Sequence, residues 1–206
     1  MFTNLFEGFV LAGGKSSRMG ADKAFLKFEH ETFLERAIKT LSNVCENRVK
    51  IVLNQAQTDL IEKLPPNISP VFDIFENRGA LGGIYTALKN CETKFAVILA
   101  VDLPLVTSET IEKLAEITLS SNKFVATVPR QTDGRLQPLA AIYLARYALR
   151  PLERLINEND SASVNDFLEL IAPRTIGQDK LTSNPTENLF LNVNHPSEYE
   201  ELAKNK

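Results

Sequence analysis

The sequence predicts an α/β protein in which a mostly parallel sheet lies between two layers of helices. Short apolar runs stop on glycine or on a polar residue: Phe9, Val10 and Leu11 before Gly13-Gly14, VKIVL (49–53) at Asn54, Val71 and Phe72 at Asp73, FAVILAV (95–101) at Asp102. Segments between these runs repeat apolar residues at helical spacing, as Leu34, Ala37, Ile38 and Leu41 do at i, i+3, i+4 and i+7. The run 95–101 is apolar throughout, the pattern of a central strand covered on both faces. Strands alternating with helices imply parallel pairing through helical crossovers.

Taken in order, 9–11 is the first strand, delivering its end to a glycine-rich loop. A helix carries 34–41, and the second strand is 49–53. The third strand is short, at 71–72. The helix around Leu81, Ile84 and Leu88 follows, with Gly82-Gly83 in its first turn. After 95–101, Ser108 is a fair N-cap for a helix carrying Ile111, Leu114 and Ala115. Strands are expected at 124–128 and 139–143, separated by the turn-like PRQTDGR, and helices at 145–156 and 164–171, the first strained by Pro151. The stretch 177–188 is polar and reads as a loop. A last strand at 190–193 leads into a helix near 197–203. One domain over 1–206 accommodates all of this, with no internal repeat.

Composition narrows the function classes. Net charge is −3, from 23 basic and 26 acidic residues, which argues against a nucleic-acid partner because backbone binding needs a clustered positive surface. A nucleotide ligand needs only a few basic groups, backbone amides and a metal. Cys45 and Cys91 lack the C-x-x-C spacing, so reduced thiols in a cytoplasmic protein are expected. No apolar run reaches the ~20 residues of a membrane span, so no membrane partner is expected. The opening MFTNLFEGFVLAGG has no basic region before its apolar stretch and reads as a strand, not a secretory signal.

Open α/β sheets bind ligands beyond the carboxyl ends of their strands. Gly13-Gly14, Asn54, Asp73 and Asp102 all fall on such ends. Each alone has a blander reading as a turn or cap; their convergence on one rim favours a ligand. The segment LAGGKSSRMGADK (11–23) combines glycines, through which backbone can approach phosphate, with Lys15, Arg18 and Lys23. It matches neither G-x-x-x-x-G-K-[ST] nor G-x-G-x-x-G. On composition alone, a flexible glycine turn with solvated lysines is the favoured reading.

This segment resembles the signature L-A-G-G-x-S-x-R-M-G-x-D-K of the molybdenum cofactor guanylyltransferases. GALGGIYTAL (79–88), VDLP (101–104), QPLAAIY (137–143) and FLNVNHPSEY (190–199) resemble further stretches of that family, so the likeness runs from about residue 9 to residue 202. Ala80 stands where the family usually has proline, Val101 where it has cysteine, Gln137 where it has histidine, and His195 where it has threonine. The last two fall where the resemblance places the pterin.

The resemblance implies a Rossmann-like three-layer sandwich of nucleotidyltransferase type. It also implies transfer of GMP from GTP to the terminal phosphate of molybdopterin, forming molybdopterin guanine dinucleotide and releasing pyrophosphate. Leu11, Ala12, Gly13, Lys15, Lys23, Asn54, Asp73 and Asp102 would contact the nucleotide. Lys23, Arg18 and Asp102 would serve catalysis, with Asp102 holding Mg²⁺. Gly82, Asn192 and Asn194 would line the acceptor side, although Asn194 before His-Pro also suits a helix N-cap. An aspartate such as Asp73 can accept from two guanine N–H groups. The partners implied are GTP and molybdopterin or molybdenum cofactor, with molybdoenzymes or other cofactor-biosynthesis proteins beyond them. The alternatives are cytidylyl transfer to the same pterin, sugar-phosphate nucleotidyl transfer, and a nucleotide-binding adaptor without catalysis. Gly14 favours the guanylyl pattern LAGG over the cytidylyl pattern LAAG, and the presence of Lys23, Asp73 and Asp102 leaves no visible loss of chemistry.

Overall fold

The computed structural model describes residues 4–13, 23–183, 188–193 and 198–199, apart from the side chain of Glu76. Among them, strands β1 (Phe6–Leu11), β2 (Lys27–Phe28), β3 (Glu31–Thr32), β4 (Val49–Leu53), β5 (Ser69–Phe72), β6 (Phe95–Ala100), β7 (Ala126–Arg130), β8 (Ala140–Leu144) and β9 (Arg174–Gly177) occur with helices α1 (Phe33–Val44), α2 (Gly79–Lys89), α3 (Ser108–Leu119), α4 (Ala145–Glu158) and α5 (Val164–Ile171). Seven strands form one sheet in the order β5-β4-β1-β6-β8-β7-β9, while β2 and β3 make a separate small hairpin.

The pairings β5-β4, β4-β1, β1-β6 and β7-β9 are parallel, and β8 runs antiparallel to both of its neighbours. The expectation of a mostly parallel three-layer sheet therefore holds, with one reversed strand. Side-chain alternation divides the core. Phe6 and Val10 of β1 pack with Leu41 of α1 and with Ile111 and Leu114 of α3, whereas Phe9 and Leu11 pack with Ile84 of α2, Leu152 of α4 and Phe167 of α5. Every residue of β1 and of β6 is buried, as a central strand covered on both faces requires.

Helix boundaries follow local chemistry. Thr32 and Glu35 form a capping box on α1, and Ser163 and Asp166 form another on α5. The cap of α3 is Thr107, whose side chain accepts from the Thr110 N–H, so Ser108 is the first helical residue and not the cap expected from the sequence. Pro151 lies within α4 without ending it. A proline there deprives the Tyr147 carbonyl, four residues earlier, of its helical donor.

Several strand and loop bounds need correction. The strands placed at 124–128 and 139–143 begin later, at Ala126 and Ala140. The polar stretch after 177 is not all loop: β9 ends at Gly177, and a short 3₁₀ turn, Gln178–Lys180, follows with Gln178 buried. Residues 190–193 form no strand. They are held by isolated contacts, of which Val193 N–H to the Asp102 carbonyl at 3.0 Å is one. Of the helix expected near 197–203, only 198 and 199 are described, both helical.

Candidate nucleotide-binding site

The parallel register aligns the ends of β5, β4, β1 and β6 on one rim. Register pairs Leu11 with both Val52 and Ala100, and Leu53 with Phe72. The residues just past these ends are Ala12 and Gly13, Asn54, Asp73, and Val101 and Asp102. Between them lies a pocket of about 190 Å³, lined among the described residues by Leu11, Ala12, Gly13, Lys23, Asp73, Asp102 and others from β4, β6, α2 and the start of β8. Segments as distant in sequence as 11–13 and 102 thus share one cavity. Gly14, Lys15, Arg18, Asn194 and His195 lie outside the described residues.

The end of β1 is firmly tied. The N–H groups of Ala12 and Gly13 both reach the Val52 carbonyl, at 3.0 and 3.1 Å, and the Leu11 carbonyl accepts from Val101 N–H at 3.1 Å. The Ala12 carbonyl accepts from Gln57 Nε2 at 3.0 Å, while Gln57 Oε1 accepts from the Asn54 N–H at 3.1 Å. Gln57, nearly buried, therefore joins the end of β1 to the start of the 3₁₀ segment Gln55–Lys63. It was not singled out from the sequence, although N-x-x-Q at 54–57 is a readable capping-box signal. Asn54 is the other half of that box: its Oδ1 accepts from Ala56 N–H at 2.9 Å, so it serves as the cap that the bland reading of a strand-end asparagine expects.

Asp102 is the electrostatic centre of the pocket. Lys23 Nζ stands 3.6 Å from Asp102 Oδ2, an ion pair beyond hydrogen-bond range, and both side chains are about one-fifth exposed. Asp102 Oδ1 is buried and, among the described residues, has no hydrogen-bond partner. Burial pushes the Asp102 carboxyl above its ordinary value; Lys23 opposes that rise without cancelling it. A buried carboxylate oxygen without a donor is costly, and such atoms in native folds call for a ligand, water or ion.

Asp73 faces the same pocket from β5 and is fixed by α2. Its Oδ1 accepts from Phe75 N–H at 3.1 Å and from the Thr86 hydroxyl at 2.9 Å. Gly82, expected on the acceptor side, packs beneath this turn: a Cβ there would stand 2.4 Å from the Phe75 carbonyl oxygen and 3.2 Å from each oxygen of Asp73. Gly79, at the start of α2, has φ of +52°, a conformation natural to glycine. Asn192 is exposed, beside the Val193 N–H bond to Asp102. Gln137 precedes β8, its N–H bonded to the Pro129 carbonyl, two residues before the pocket-lining Leu139.

Among the described residues, no group of three or more His, Cys, Asp or Glu could hold a metal ion. No described helix is long and apolar enough to cross a membrane.

Residues 8–173 match the family model described as the MobA-like NTP transferase domain. A protein of Geobacillus sp. (strain WCH70) named probable molybdenum cofactor guanylyltransferase is 33% identical over 201 residues, covering 97% of this chain and 99% of that protein. One of the same name from Flavobacterium johnsoniae is 32% identical over 200 residues, covering 96% of each. Among solved structures, molybdopterin-guanine dinucleotide biosynthesis protein A from Archaeoglobus fulgidus superposes with a TM-score of 0.79 at 23% identity, covering 96% of this chain and 97% of that one. A 4-diphosphocytidyl-2C-methyl-D-erythritol synthase from Anaerococcus prevotii gives 0.69 at 12% identity over 98% of each chain. At those identities the two structures speak for the fold alone.

Proposed function

From the premise that the chain belongs to the MobA-like NTP transferase family and is a nucleotidyltransferase, we propose that it transfers GMP from GTP to the terminal phosphate of molybdopterin. The relatives named molybdenum cofactor guanylyltransferase, at near full-length coverage, supply the substrates of this reading. The observation that carries it is the rim pocket itself, where the buried Oδ1 of Asp102, without a hydrogen-bond partner among the described residues, stands with Lys23 beside the ends of β1 and β5.

In the reaction, an oxygen of the pterin phosphate bonds to the α-phosphorus of GTP, and the bond to the β-phosphate bridging oxygen breaks. Pyrophosphate leaves with that electron pair. The attacking phosphate is already ionised at neutral pH, so no general base is required. The protein's work is to hold two polyanions in line and neutralise them. Lys23 supplies positive charge, with Lys15 and Arg18 assigned the same task. Asp73 offers its Oδ2 to the nucleoside, and the end of β1, with its N–H groups committed to β4, forms a stiff floor. Asn192, with Asn194, would face the acceptor.

Asp102 fits a resident Mg²⁺: its buried Oδ1 lacks a donor, and Mg²⁺ is commonly held by one or two carboxylates plus substrate phosphates. When bound, the ion would stabilise negative charge on the transferred phosphoryl and on the leaving pyrophosphate.

The test is pyrophosphate release from GTP, CTP, ATP and UTP with Mg²⁺, each with and without molybdopterin. GTP alone, and only with the pterin, should give release. Strong release from another nucleotide moves the protein to a neighbouring branch, and release independent of the pterin removes that acceptor.

A further inference from the structure

The carboxylate of Asp73 is not free to turn. Its Oδ1 receives two hydrogen bonds, from the Phe75 N–H, which closes an Asx turn, and from the Thr86 hydroxyl. Those two donors occupy both lone pairs of that oxygen. The Thr86 hydroxyl itself accepts from the Ile74 N–H at 2.9 Å, so it bridges turn backbone and carboxylate. The Asp73 N–H is held in turn by the Leu53 carbonyl at 2.7 Å. Thr86 is fully buried within α2 and does not line the pocket. Asp73 does, and among the described residues its Oδ2 carries no hydrogen bond.

Thr86 follows Gly82 by four residues, so the two share one face of α2. Gly82 lets the helix approach the turn, where a Cβ would collide with the Phe75 carbonyl. The hydroxyl one helical turn later then reaches the carboxylate. Close approach and hydroxyl act as one device.

We propose that Thr86 is a positioning residue for nucleotide binding, orienting the Asp73 carboxylate so that Oδ2 alone meets the ligand, as an acceptor preset for a nucleoside hydroxyl or N–H. A bidentate grip by both Asp73 oxygens is unavailable without breaking the Thr86 or Phe75 bond. The inference rests on the reading of the pocket as a nucleotide site. A preset acceptor spares the ligand the cost of ordering the side chain, so its loss appears in affinity and not in turnover.

The experiment is a double-mutant cycle on GTP binding, by calorimetry, with kcat and KM from pyrophosphate release and Tm recorded for each variant. Thr86→Val keeps the shape and removes the hydroxyl. It should raise the Kd and KM for GTP about tenfold and leave kcat within about twofold. Thr86→Ser should stay within about twofold of the native protein. In an Asp73→Ala background, adding Thr86→Val should weaken binding no further. A merely structural Thr86 would instead lower Tm and multiply its effect with that of Asp73→Ala, which overturns the proposal, as does native affinity in Thr86→Val. Should another nucleotide bind in place of GTP, the cycle run with that nucleotide tests the same point. A native protein that binds no nucleoside triphosphate at all removes the functional reading, and this inference with it.

Discussion

Two carboxylates, one buried and one with a single buried oxygen, sit at opposite ends of the same sheet and are treated in opposite ways. At the amino end, Glu7 on β1 is 5% exposed and fully engaged: Oε1 pairs with Lys50 Nζ at 2.9 Å, and Oε2 accepts from the Glu92 N–H at 2.7 Å. Lys50 is engaged as thoroughly, by Glu7, by Glu92 at 3.0 Å and by the Asn90 carbonyl at 2.9 Å. Burial works most strongly against its charge, yet hydrogen bonds to Glu7 and Glu92 and the attraction of their charges together outweigh it and raise its pKa. At the carboxyl end, among the described residues, Asp102 has one cation at 3.6 Å and one buried oxygen with no donor, and there burial wins. A saturated buried charge ties strands together; an undersupplied one makes room for something the chain does not contain. The second arrangement costs stability, which is how a binding site differs physically from a structural ion pair.

The sharpest way to break this contrast is Asp102→Asn. Nucleotidyl transfer should fall by on the order of 10³-fold, while Tm at neutral pH stays level or rises, because a charge disfavoured by burial has been removed. A parallel fall in Tm and activity would make Asp102 structural. Glu7→Ala is the mirror test. Leaving Lys50 with fewer partners should lower the unfolding free energy by about 3 kcal/mol, read from urea denaturation, with kcat within about twofold at a temperature where the variant is folded. Activity lost without stability would erase the distinction between the two ends. Gly82→Ala should cost about 1–3 kcal/mol and also raise the KM for nucleotide, since the new Cβ presses on the Asp73 turn; an unchanged KM would detach that turn from binding.

The smallest effect is a pH dependence. The folded pKa of Asp102 lies above its unfolded value, so the folded state holds the proton more tightly. Its contribution is fully present below the ordinary aspartate range and is lost as pH rises through the raised folded value. The Tm of Asp102→Asn minus that of the native protein should therefore grow with pH across that window and then level off. A difference that shrinks as pH rises would reverse the assigned sign.

Much of this was legible in the sequence, and the reasons differ by region. Strand ends at 11, 53 and 72 could be read because each apolar run soon gives way to glycine or a polar residue, while the run 95–101 reads one residue past the end of β6 at Ala100; parallel pairing gathers these ends on one rim. The turn between β7 and β8 is itself a sign of antiparallel pairing, but it does not say which of the two strands runs against the rest of the sheet; β8 does. Residues 190–193 look like a strand because Phe190 and Val193 are apolar; they are buried as isolated plugs instead, while Asn192 stays exposed. Within the site, Asp73, Asp102 and Lys23 were visible as charges at strand ends or in the glycine-rich segment. Thr86 was not, because a threonine inside an apolar helical stretch resembles core filling until its hydroxyl is seen against Asp73.

Equilibrium binding of GTP to the native protein, Glu7→Ala and Asp102→Asn, each with and without Mg²⁺, tests most directly whether the undersupplied rim is the ligand site. Native protein and Glu7→Ala should bind alike and gain affinity from Mg²⁺, whereas Asp102→Asn should gain little. Equal Mg²⁺-dependent affinity in Asp102→Asn, or loss confined to Glu7→Ala, would contradict the account.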